Sequence, residues 1–463
     1  MTIYMEERIF REYDIRGIYG KDLTEEISCL IGKAFVSLAC RELKRKPEKI
    51  SIGMDARLSS ECLKQALMRG ITECGVNVVD IGLCPTPLQY FSLFRLSLDG
   101  GIMVTGSHNP PEFNGFKLSI GKDTIHGEKI KSLKQIIEKE DFISSPVTGQ
   151  VEQYNIMNDY IEYMLNQFLS FKGIKVVLDS GNGTAGIVAP VILKKLGAEV
   201  IELYSEPDGR FPNHHPDPIV PGNIIDLRET VLKEKAHLGI GFDGDADRIG
   251  VIDEAGDVVW GDRLMIIFAR DILKENTGAK IIGEVKCSNL MYEEIQKMGG
   301  VAIMWKTGHS LIKRKIREEK ALLAGEMSGH IFFNDRYFGY DDAIYASLRL
   351  VEILKKSGEP FGLKKFFKDL KKVYSTPEIR IDCHDEQKFM IVEKIKEYFK
   401  EFECNFIDGA RINFPNGWAL IRASNTQPAL VIRFEAETED DLENIKDLVH
   451  QKLFEVFQIS KIL

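Results

Sequence analysis

Short apolar, strand-like segments alternate with amphipathic, helix-like segments from the start of the chain to about residue 365. Residues 50–55 (ISIGMD) precede a helical pattern in ECLKQALMRGITECG, and VNVVDIG follows as the next strand. The same order returns after 174–183 (IKVVLDSGNG), 237–245 (HLGIGFDGD) and 279–288 (AKIIGEVKCS). Such alternation is typical of α/β proteins with largely parallel sheets. It predicts a ligand site beyond the carboxyl ends of the strands.

The pattern changes near residue 370. The remaining segment carries a helical pattern in EQKFMIVEKIKEYFKEF, strand patterns in RINFPNGWALIRAS and PALVIRFEAET, and a last helical pattern in DDLENIKDLVHQKLFEVF. It therefore predicts a smaller α+β domain. The chain has 463 residues, which at about 150 residues per domain suggests about three domains.

Composition excludes several classes of protein. Lys and Arg number 61 against 70 Asp and Glu, which argues against nucleic-acid or membrane-surface binding. No apolar run approaches the roughly 20 residues of a transmembrane helix, and the charged N-terminus does not resemble a secretory signal. The eight cysteines form no C-x-x-C pair, so we expect free thiols in a reducing cytoplasm.

An acidic loop follows one predicted strand. Asp243, Asp245 and Asp247 alternate in GFDGDADR, and in an extended segment their side chains share one face. Two carboxylates about 4 Å apart repel by roughly 4 kcal/mol at an effective dielectric of 20, so three need a cation. Oxygen ligands favour Mg²⁺ or Ca²⁺ over zinc. A solvated acidic turn is the alternative interpretation. Apolar strand patterns on both sides make this interpretation less suitable, because they bring the carboxylates to a strand end. Arg248 would suit a phosphate oxygen beside the metal.

A calcium EF-hand is a second interpretation of this loop. The three aspartates and Glu254 occupy positions 1, 3, 5 and 12 of such a loop. Position 6 is Arg248 rather than glycine, and the flanks resemble strands rather than helices. We therefore favour Mg²⁺.

A serine lies in the turn TGSHNP after the strand GGIMV. Ser107 at a strand end is approachable, although Gly, Ser, Asn and Pro also form ordinary turns. A serine hydrolase is not supported, because G-x-S-x-G is absent and the adjacent His108 is not expected to face Ser107. Lys117 lies ten residues further on as a candidate cation.

A dense group of donors lies near the C-terminus in RASNTQP. Arg422, Ser424, Asn425 and Thr426 could form an anion cradle, since Arg matches phosphate geometry and hydroxyl and amide groups complete it. A hairpin turn with incidental polar residues is the alternative.

Four further residues lie at predicted strand ends. Glu326 and Ser328 in GEMSGH could point together at a hydroxylated ligand, although a plain turn would fit nearly as well. Lys286 and His309 are each, taken alone, more often surface or core residues than ligand contacts.

The motifs TGSHNP, DGDADR, GEMSGH and RASNTQP, in this order and with FREYDIRG at 10–17, resemble the α-D-phosphohexomutase superfamily. The chain is most similar to its bacterial-type phosphomannomutase/phosphoglucomutase branch. The resemblance implies three α/β domains with mixed sheets and a smaller C-terminal α+β domain around a central active-site cleft. We expect 1–153 to hold the phosphoserine loop, 154–256 the metal-binding loop, 257–368 the sugar-recognition loop and 369–463 the phosphate-binding loop.

The resemblance also implies roles for individual residues. Ser107 would be the phosphoserine and, with Asp243, Asp245 and Asp247, a ligand of one Mg²⁺ per active site. Lys117 and His309 would be general acid/base candidates, and Arg248 would neutralise phosphoryl charge. The substrate would be bound by Tyr13, Arg16, His108, Lys286, Glu326, Ser328, His330, Arg422, Ser424, Asn425 and Thr426.

The implied activity is interconversion of hexose 1-phosphate and hexose 6-phosphate, of mannose or glucose, with the sugar 1,6-bisphosphate as intermediate and activator. Expected partners are small-molecule sugar phosphates, with neither nucleic acid nor membrane, and the chain is expected to be a monomer or weak homodimer. Two alternatives stay open. One is a phosphoglucosamine mutase, because GEMSGH does not exclude an amino sugar, and the other is a noncatalytic Ca²⁺-binding or sugar-phosphate-sensing protein.

Overall fold

A computed structural model describes residues 5–424 and 429–457 of the chain, apart from the side chains at 385, 386 and 455–457. Over these residues the chain forms four β-sheets, one after another along the sequence. Three of them combine parallel and antiparallel pairs, and the last is antiparallel. The predicted fold class, three α/β domains followed by an α+β domain, is therefore confirmed.

Domain I is built on a seven-stranded mixed sheet. Its elements are β1 (Ile15–Ile18), α1 (Glu25–Leu43), β2 (Lys49–Met54), α2 (Ser60–Glu73), β3 (Asn77–Leu83), α3 (Thr86–Arg95), β4 (Gly100–Val104), β5 (Phe113–Ile120), β6 (Asp123–Thr124), α4 (Glu128–Glu138) and β7 (Val151–Gln153). The strand order is β1-β5-β4-β2-β3-β7, with β6 on β5. All five residues of β4 are buried, as in a central strand covered on both faces. The serine loop (residues 105–112) connects β4 to β5. Lys117 of β5 pairs with Met103 of β4.

Domain II carries the acidic loop in a hairpin. Its elements are α5 (Ile156–Gln167), β8 (Lys175–Asp179), α6 (Ala189–Lys195), β9 (Glu199–Leu203), α7 (Ile225–Glu234), β10 (Leu238–Phe242), β11 (Ile249–Asp253) and β12 (Val258–Val259). The strand order is β12-β11-β10-β8-β9. Strands β8, β9 and β10 are parallel, and the antiparallel hairpin β10–β11 encloses residues 243–248. The sheet extends through β12, slightly beyond residue 256.

Domain III has a four-stranded sheet with the order β14-β13-β15-β16. Its elements are α8 (Gly261–Glu275), β13 (Lys280–Glu284), α9 (Asn289–Lys297), β14 (Val301–Trp305), α10 (His309–Glu319), β15 (Leu323–Gly325), β16 (Ile331–Phe333) and α11 (Ala343–Lys356). Strands β13, β14 and β15 are parallel, so their carboxyl ends bring Lys286, His309 and Glu326 to one edge. Helix α11 begins after Asp342, whose carboxylate accepts a hydrogen bond from the Tyr345 amide (2.8 Å).

Domain IV is the smaller α+β unit. Its elements are β17 (Tyr374–Ser375), β18 (Ile379–Asp382), α12 (Asp385–Tyr398), β19 (Glu403–Asn405), β20 (Ala410–Phe414), β21 (Gly417–Ala423), β22 (Ala429–Ala436) and α13 (Glu439–Phe457). The strand order is β17-β22-β21-β20-β19, with β18 also on β22. Arg422 is the penultimate residue of β21.

The first three domains contribute to one large hydrophobic cluster, whereas domain IV has a cluster of its own and a small one, around Trp418, that it shares with Val285 of domain III. Phe91, Tyr160 and Phe268, from domains I, II and III, belong to a single buried cluster. Domain IV is joined to domain III by Arg411, which stacks on the buried Trp418 (3.7 Å) and donates to the Cys287 carbonyl (2.9 Å). In the part of the chain that the structure describes, no helix is long and apolar enough to cross a membrane.

Candidate active site

The serine loop and the acidic loop meet between domains I and II. The Ser107 hydroxyl donates to Asp243 Oδ2 at 3.0 Å, although 136 positions separate the two residues. Both side chains are buried. The structure thus brings together the candidate nucleophile and the candidate metal ligands that the sequence places at two different strand ends.

A left-handed residue gives the serine loop its shape. Ser107 has φ 50°, and its amide donates to Thr105 Oγ1 (2.8 Å). This turn brings His108 Nδ1 to 3.2 Å from Ser107 Oγ, so the expectation that His108 would not face Ser107 was wrong. Burial lowers the pKa of His108 well below its usual range, and the neighbouring Arg248 and Arg16 lower it further. His108 is therefore neutral and can exchange a hydrogen bond with the serine hydroxyl.

The acidic loop is a tight turn rather than an extended strand. Ala246 has φ 59°, and the amides of Asp247 and Arg248 both donate to Asp243 Oδ1 (3.1 Å each). The three carboxylates converge because of this turn, and the predicted extended geometry was wrong. At Gly244 a Cβ would lie 2.6 Å from the Ser107 carbonyl oxygen, so glycine permits the two loops to touch.

The carboxylate triplet fits a hard divalent cation. One oxygen each of Asp243, Asp245 and Asp247 lies within 4.8 Å of the others. Asp245 Oδ1 and Asp247 Oδ1 are buried and, within the residues that the structure describes, accept no hydrogen bond. Burial, together with repulsion from the other two carboxylates, raises the pKa of Asp243 well above its usual range. A buried, oxygen-only cluster with free lone pairs is the donor set that Mg²⁺ or Ca²⁺ prefers.

Lys117 partly neutralises this cluster. Its Nζ donates to Asp245 Oδ2 (2.6 Å) and to Asp247 Oδ2. Burial alone would raise the pKa of Asp245, but the attraction of Lys117 holds it below its usual range. Burial likewise opposes the charged form of Lys117, yet the two aspartates raise its pKa well above the usual value. Lys117 is therefore a charged donor at the centre of the site.

The geometry does not support a calcium EF-hand. The acidic loop is flanked by strands β10 and β11. The carboxylate of Glu254, which would be the twelfth ligand position, accepts from the Leu363 amide (2.6 Å) instead of turning toward the aspartates.

Arg248, His330, His309 and Asp341 form a connected group beside the triplet. Arg248 Nε donates to His330 Nε2 (3.2 Å), and because a guanidinium only donates, we assign the His330 proton to Nδ1. That Nδ1 lies 3.1 Å from Asp341 Oδ2, and His309 Nδ1 lies 3.5 Å from the same oxygen. Burial lowers the pKa of His309 well below its usual range, so its imidazole is neutral.

The loop GEMSGH is held within domain III by the Gly308 amide, and domain I contacts the adjacent Thr307. Glu326 Oε1 accepts from the Gly308 amide (2.6 Å), and Ser328 Oγ lies 3.5 Å from Glu326 Oε2. Burial raises the pKa of Glu326. Tyr13 donates through its hydroxyl to the Thr307 carbonyl (2.7 Å). Glu326 and Ser328 therefore point together, as the sequence predicts.

Glu326 interacts electrostatically with both Arg248 and Lys286, and Lys286 interacts with Arg422, so the candidate cations of domains III and IV continue the row of charged residues that includes Arg248. Arg422 Nε donates to Asp408 Oδ2 (3.2 Å), and Lys286 Nζ donates to Glu378 Oε2 (3.2 Å). Burial opposes the charged form of Arg422, but Asp408 raises the pKa of the guanidinium above its usual value.

The remaining predicted residues have varied positions. Ser424 is buried beyond β21. Arg16 donates to Asn109 Oδ1 (2.6 Å) and to Asp14, beside the serine loop. Asn425 and Thr426 lie outside the described residues.

Several residues at the site are absent from the sequence prediction. Asp341 is one, and Lys313 Nζ donates to its other oxygen (2.9 Å). Glu284 is another, and it accepts from Thr307 Oγ1 (2.8 Å) and the Lys286 amide (3.0 Å). Arg57, in the turn after β2, is buried against the serine loop. The only signal for these residues was a charged side chain at or near a strand end.

Four family models match consecutive segments of the chain. They are phosphoglucomutase/phosphomannomutase alpha/beta/alpha domain I over 7–144, domain II over 158–256, domain III over 260–373 and the C-terminal domain over 378–452.

Similar proteins cover nearly the whole chain. A phosphomannomutase/phosphoglucomutase from Pseudomonas aeruginosa is 46% identical over 447 residues, 96% of this chain and 95% of the relative. A phosphoglucomutase from Neisseria gonorrhoeae is 42% identical, covering 95% of each chain. Among solved structures, a phosphoglucomutase/phosphomannomutase family protein from Burkholderia thailandensis has a TM-score of 0.91 at 39% identity, with 98% of each chain covered.

Proposed function

Because the chain belongs to the phosphoglucomutase/phosphomannomutase family, we propose that it interconverts hexose 1-phosphates and hexose 6-phosphates and that Ser107 carries the phosphoryl group. One observation carries the second part of the proposal: the Ser107 hydroxyl is 3.0 Å from Asp243 within the buried acidic cluster. A phosphoryl group on this hydroxyl would be next to the carboxylates, Lys117 and Arg248. The names of the relatives indicate mannose and glucose phosphates as substrates.

The proposed exchange has two steps. In the first, a hydroxyl of the substrate attacks the Ser107 phosphate, an oxygen–phosphorus bond forms on the sugar, and the bond to Ser107 Oγ breaks. The sugar 1,6-bisphosphate then turns around, and its other phosphoryl group returns to Ser107. His309, whose imidazole is neutral, would take the proton from the attacking hydroxyl, and the charged Lys117 would give a proton to Ser107 Oγ as its bond to phosphorus breaks; both transfers reverse when the phosphoryl group returns. A trace of glucose or mannose 1,6-bisphosphate would therefore activate the enzyme by phosphorylating Ser107.

Charge neutralisation is the main catalytic contribution of the site. Phosphoryl transfer passes through a loose transition state with charge on the equatorial oxygens. Asp243, Asp245 and Asp247, with the Ser107 phosphate, would hold one Mg²⁺, which when bound supplies positive charge to the transferring group. Lys117 and Arg248 would donate to the same oxygens from fixed positions.

The opposite end of the cleft would hold the phosphate that does not react. Arg422 and Ser424, with Asn425, Thr426 and Lys286, would bind it in either orientation of the sugar. Glu326 and Ser328 would take the sugar hydroxyls between the two phosphates. The remaining predicted lining residues are Tyr13, Arg16, His108 and His330.

Other predictions from the sequence stay proposals. We propose a monomer or weak homodimer with no nucleic-acid or membrane partner. The described cysteines are all free, which agrees with the proposed cytoplasmic location.

A coupled mutase assay tests the proposal. Wild-type protein with Mg²⁺ should convert glucose and mannose 1-phosphates with higher kcat/KM than glucosamine 1-phosphate, and a trace of glucose 1,6-bisphosphate should increase the rate. The reverse preference would indicate the phosphoglucosamine mutase, and metal binding without turnover would indicate a sensing protein. Ser107→Ala should abolish conversion, whereas Ser132→Ala, at a half-buried serine on α4, should retain it. Full activity of Ser107→Ala would contradict the role of Ser107.

A further inference from the structure

One buried arginine binds most of the backbone of the serine loop. Arg57 donates from Nη2 to the carbonyls of Ser107 (2.8 Å) and Asn109 (2.5 Å), and from Nη1 to those of Pro110 (2.5 Å) and Phe113 (3.0 Å). These four carbonyls lie between Ser107 and Phe113, the first residue of β5. Only a planar fork with several fixed N–H groups can reach so many acceptors at once.

Asp55 completes the arrangement from the same turn. Its Oδ2 accepts from Arg57 Nε (3.1 Å), Thr105 Oγ1 (2.8 Å) and the Gly106 amide (3.1 Å). Its Oδ1 accepts from Ser60 Oγ (2.5 Å). The Asp55–Arg57 pair therefore binds the donors at the start of the serine loop and the acceptors along the rest of it.

Domain II encloses this pair. The Phe211 ring lies 5.2 Å from the Arg57 guanidinium, and the Arg57 side chain has 0% exposure. A Cβ at Gly106 would lie 2.4 Å from Arg57 Nε, so the loop backbone packs directly on the guanidinium. Burial lowers the pKa of Arg57, and the neighbouring Asp55 opposes part of this effect. A cation held in this way keeps the loop in one conformation.

We propose that Arg57, with Asp55 as its counter-ion, is the positioning residue that holds Ser107 in place for phosphoryl transfer. This inference rests on the proposed function of Ser107. Arg57 draws the loop carbonyls to one side, and the strained turn at Ser107 then directs Oγ to the other side, toward Asp243. Without the planar guanidinium of Arg57, the loop would no longer keep Ser107 in this conformation when the hydroxyl gains or loses its phosphate. Of the groups at the site, Arg57 contacts only the loop backbone and Asp55. It therefore affects phosphoryl transfer through the position of Ser107.

Arg57→Lys is the informative variant, because it keeps the charge and removes the planar fork. We expect kcat to fall about 100-fold, the size of effect produced by misplacing a reacting group by about 1 Å. KM for the sugar 1-phosphate should change less than about threefold, because Arg57 contacts none of the proposed sugar-binding residues. Arg45→Lys is the matched control, since Arg45 is an exposed arginine of domain I paired with Asp99, and it should leave kcat unchanged.

A purely structural role would give a different result. Intact mass and near-UV circular dichroism should show Arg57→Lys folded, and the rate of Ser107 phosphorylation by glucose 1,6-bisphosphate should fall with kcat. Arg57→Ala should be partly rescued by low-millimolar guanidinium, which fits the vacated space, and not by the same concentration of sodium chloride.

Two results would overturn the inference. One is an Arg57→Lys kcat within twofold of wild type, and the other is a loss that matches the loss of folded protein with normal phosphorylation of the remainder. Ser107→Ala separates this outcome from failure of the proposed function. If Ser107→Ala is inactive while Arg57→Lys is fully active, only the role of Arg57 is wrong; if Ser107→Ala is active, the proposed function is wrong.

Discussion

The two ends of the cleft are built differently. At the serine end, candidate residues of different domains bind one another directly, as in Ser107 with Asp243 and Lys117 with Asp245. At the Arg422 end, the candidate cations pair with carboxylates that are not themselves candidates: Arg422 with Asp408, and Lys286 with Glu378 and Glu284. The serine end also lies on domains that contribute to one large shared core, whereas Arg422 belongs to a domain whose main core is separate.

This difference separates two tasks. A preorganised, buried cluster lowers the transition state of phosphoryl transfer, because its charges do not have to rearrange during the reaction. Cations that are paired with carboxylates outside the candidate set instead suit a phosphate that must enter, leave and return in the other orientation. Substitutions at the serine end should therefore lower kcat, and those at the Arg422 end should mainly raise KM.

The largest effect is expected at the metal-binding loop. Asp243→Asn removes the carboxylate that contacts both Ser107 and the loop amides, so kcat should fall about 10³-fold or more. The Mg²⁺ concentration for half-maximal activity should rise, as measured by titration of activity against Mg²⁺. Asp141→Asn, at an exposed aspartate of domain I, is the control. An unchanged Mg²⁺ requirement would remove the triplet from the proposed metal site.

A smaller effect of a different kind is expected at Arg422. Arg422→Lys loses the planar fork, and the loss of a charge-assisted bond of about 2 kcal/mol corresponds to a rise of about 30-fold in KM. The change in kcat should be several times smaller, as determined by steady-state kinetics. Arg314→Lys, at an exposed arginine of α10 paired with Glu318, should match wild type. A fall in kcat with unchanged KM would contradict the assignment of phosphate binding to the Arg422 end and of catalysis to the serine end.

Glu326 lies between the ends and should show an intermediate pattern. Glu326→Gln keeps the size of the side chain and weakens one charge-assisted hydrogen bond to a sugar hydroxyl by about 1 kcal/mol. We expect kcat/KM to fall about fivefold for both glucose and mannose 1-phosphates. Equal kcat/KM for the variant and wild type on both sugars would argue against a contact with the substrate.

The smallest effect is expected in stability, at a residue outside the active site. Burial opposes the charged form of His214, but its bond to Asp179 (3.0 Å) outweighs burial and raises the pKa. A raised pKa stabilises the folded state fully below the ordinary histidine pKa near 6.5, and this contribution is lost as the pH rises through the raised value.

His214→Gln should therefore lower Tm by about 1 °C at pH 5.5 and by less at pH 8.5, as measured by thermal denaturation. Its kcat at pH 7.5 should be unchanged. A larger loss of Tm at pH 8.5 would reverse the assigned sign.

Much of this architecture could be predicted from the sequence, because it depends on local patterns. Apolar runs such as GGIMV and HLGIGF indicate buried strands, and a parallel sheet brings the residues that follow its strands to one edge. The four motifs therefore identify most of the candidate side chains before any coordinates are known. The boundaries between domains stay predictions.

The rest depends on contacts that no local pattern encodes. The convergence of the aspartates comes from left-handed Ala246, and the approach of His108 to the serine comes from left-handed Ser107. Arg57 binds backbone carbonyls, which every residue possesses, so the sequence carries no signature of its partners. The position of Asp341 depends on its contacts with His330 and Lys313, which belong to other parts of domain III.

Mass spectrometry of the intact protein tests the central claim most directly. Dephosphorylated protein incubated with Mg²⁺ and glucose 1,6-bisphosphate should gain one phosphoryl group, which peptide mapping should assign to Ser107. Addition of glucose 6-phosphate should then remove it and regenerate the bisphosphate. An active protein that carries no phosphoryl group on Ser107 at any stage would contradict the account.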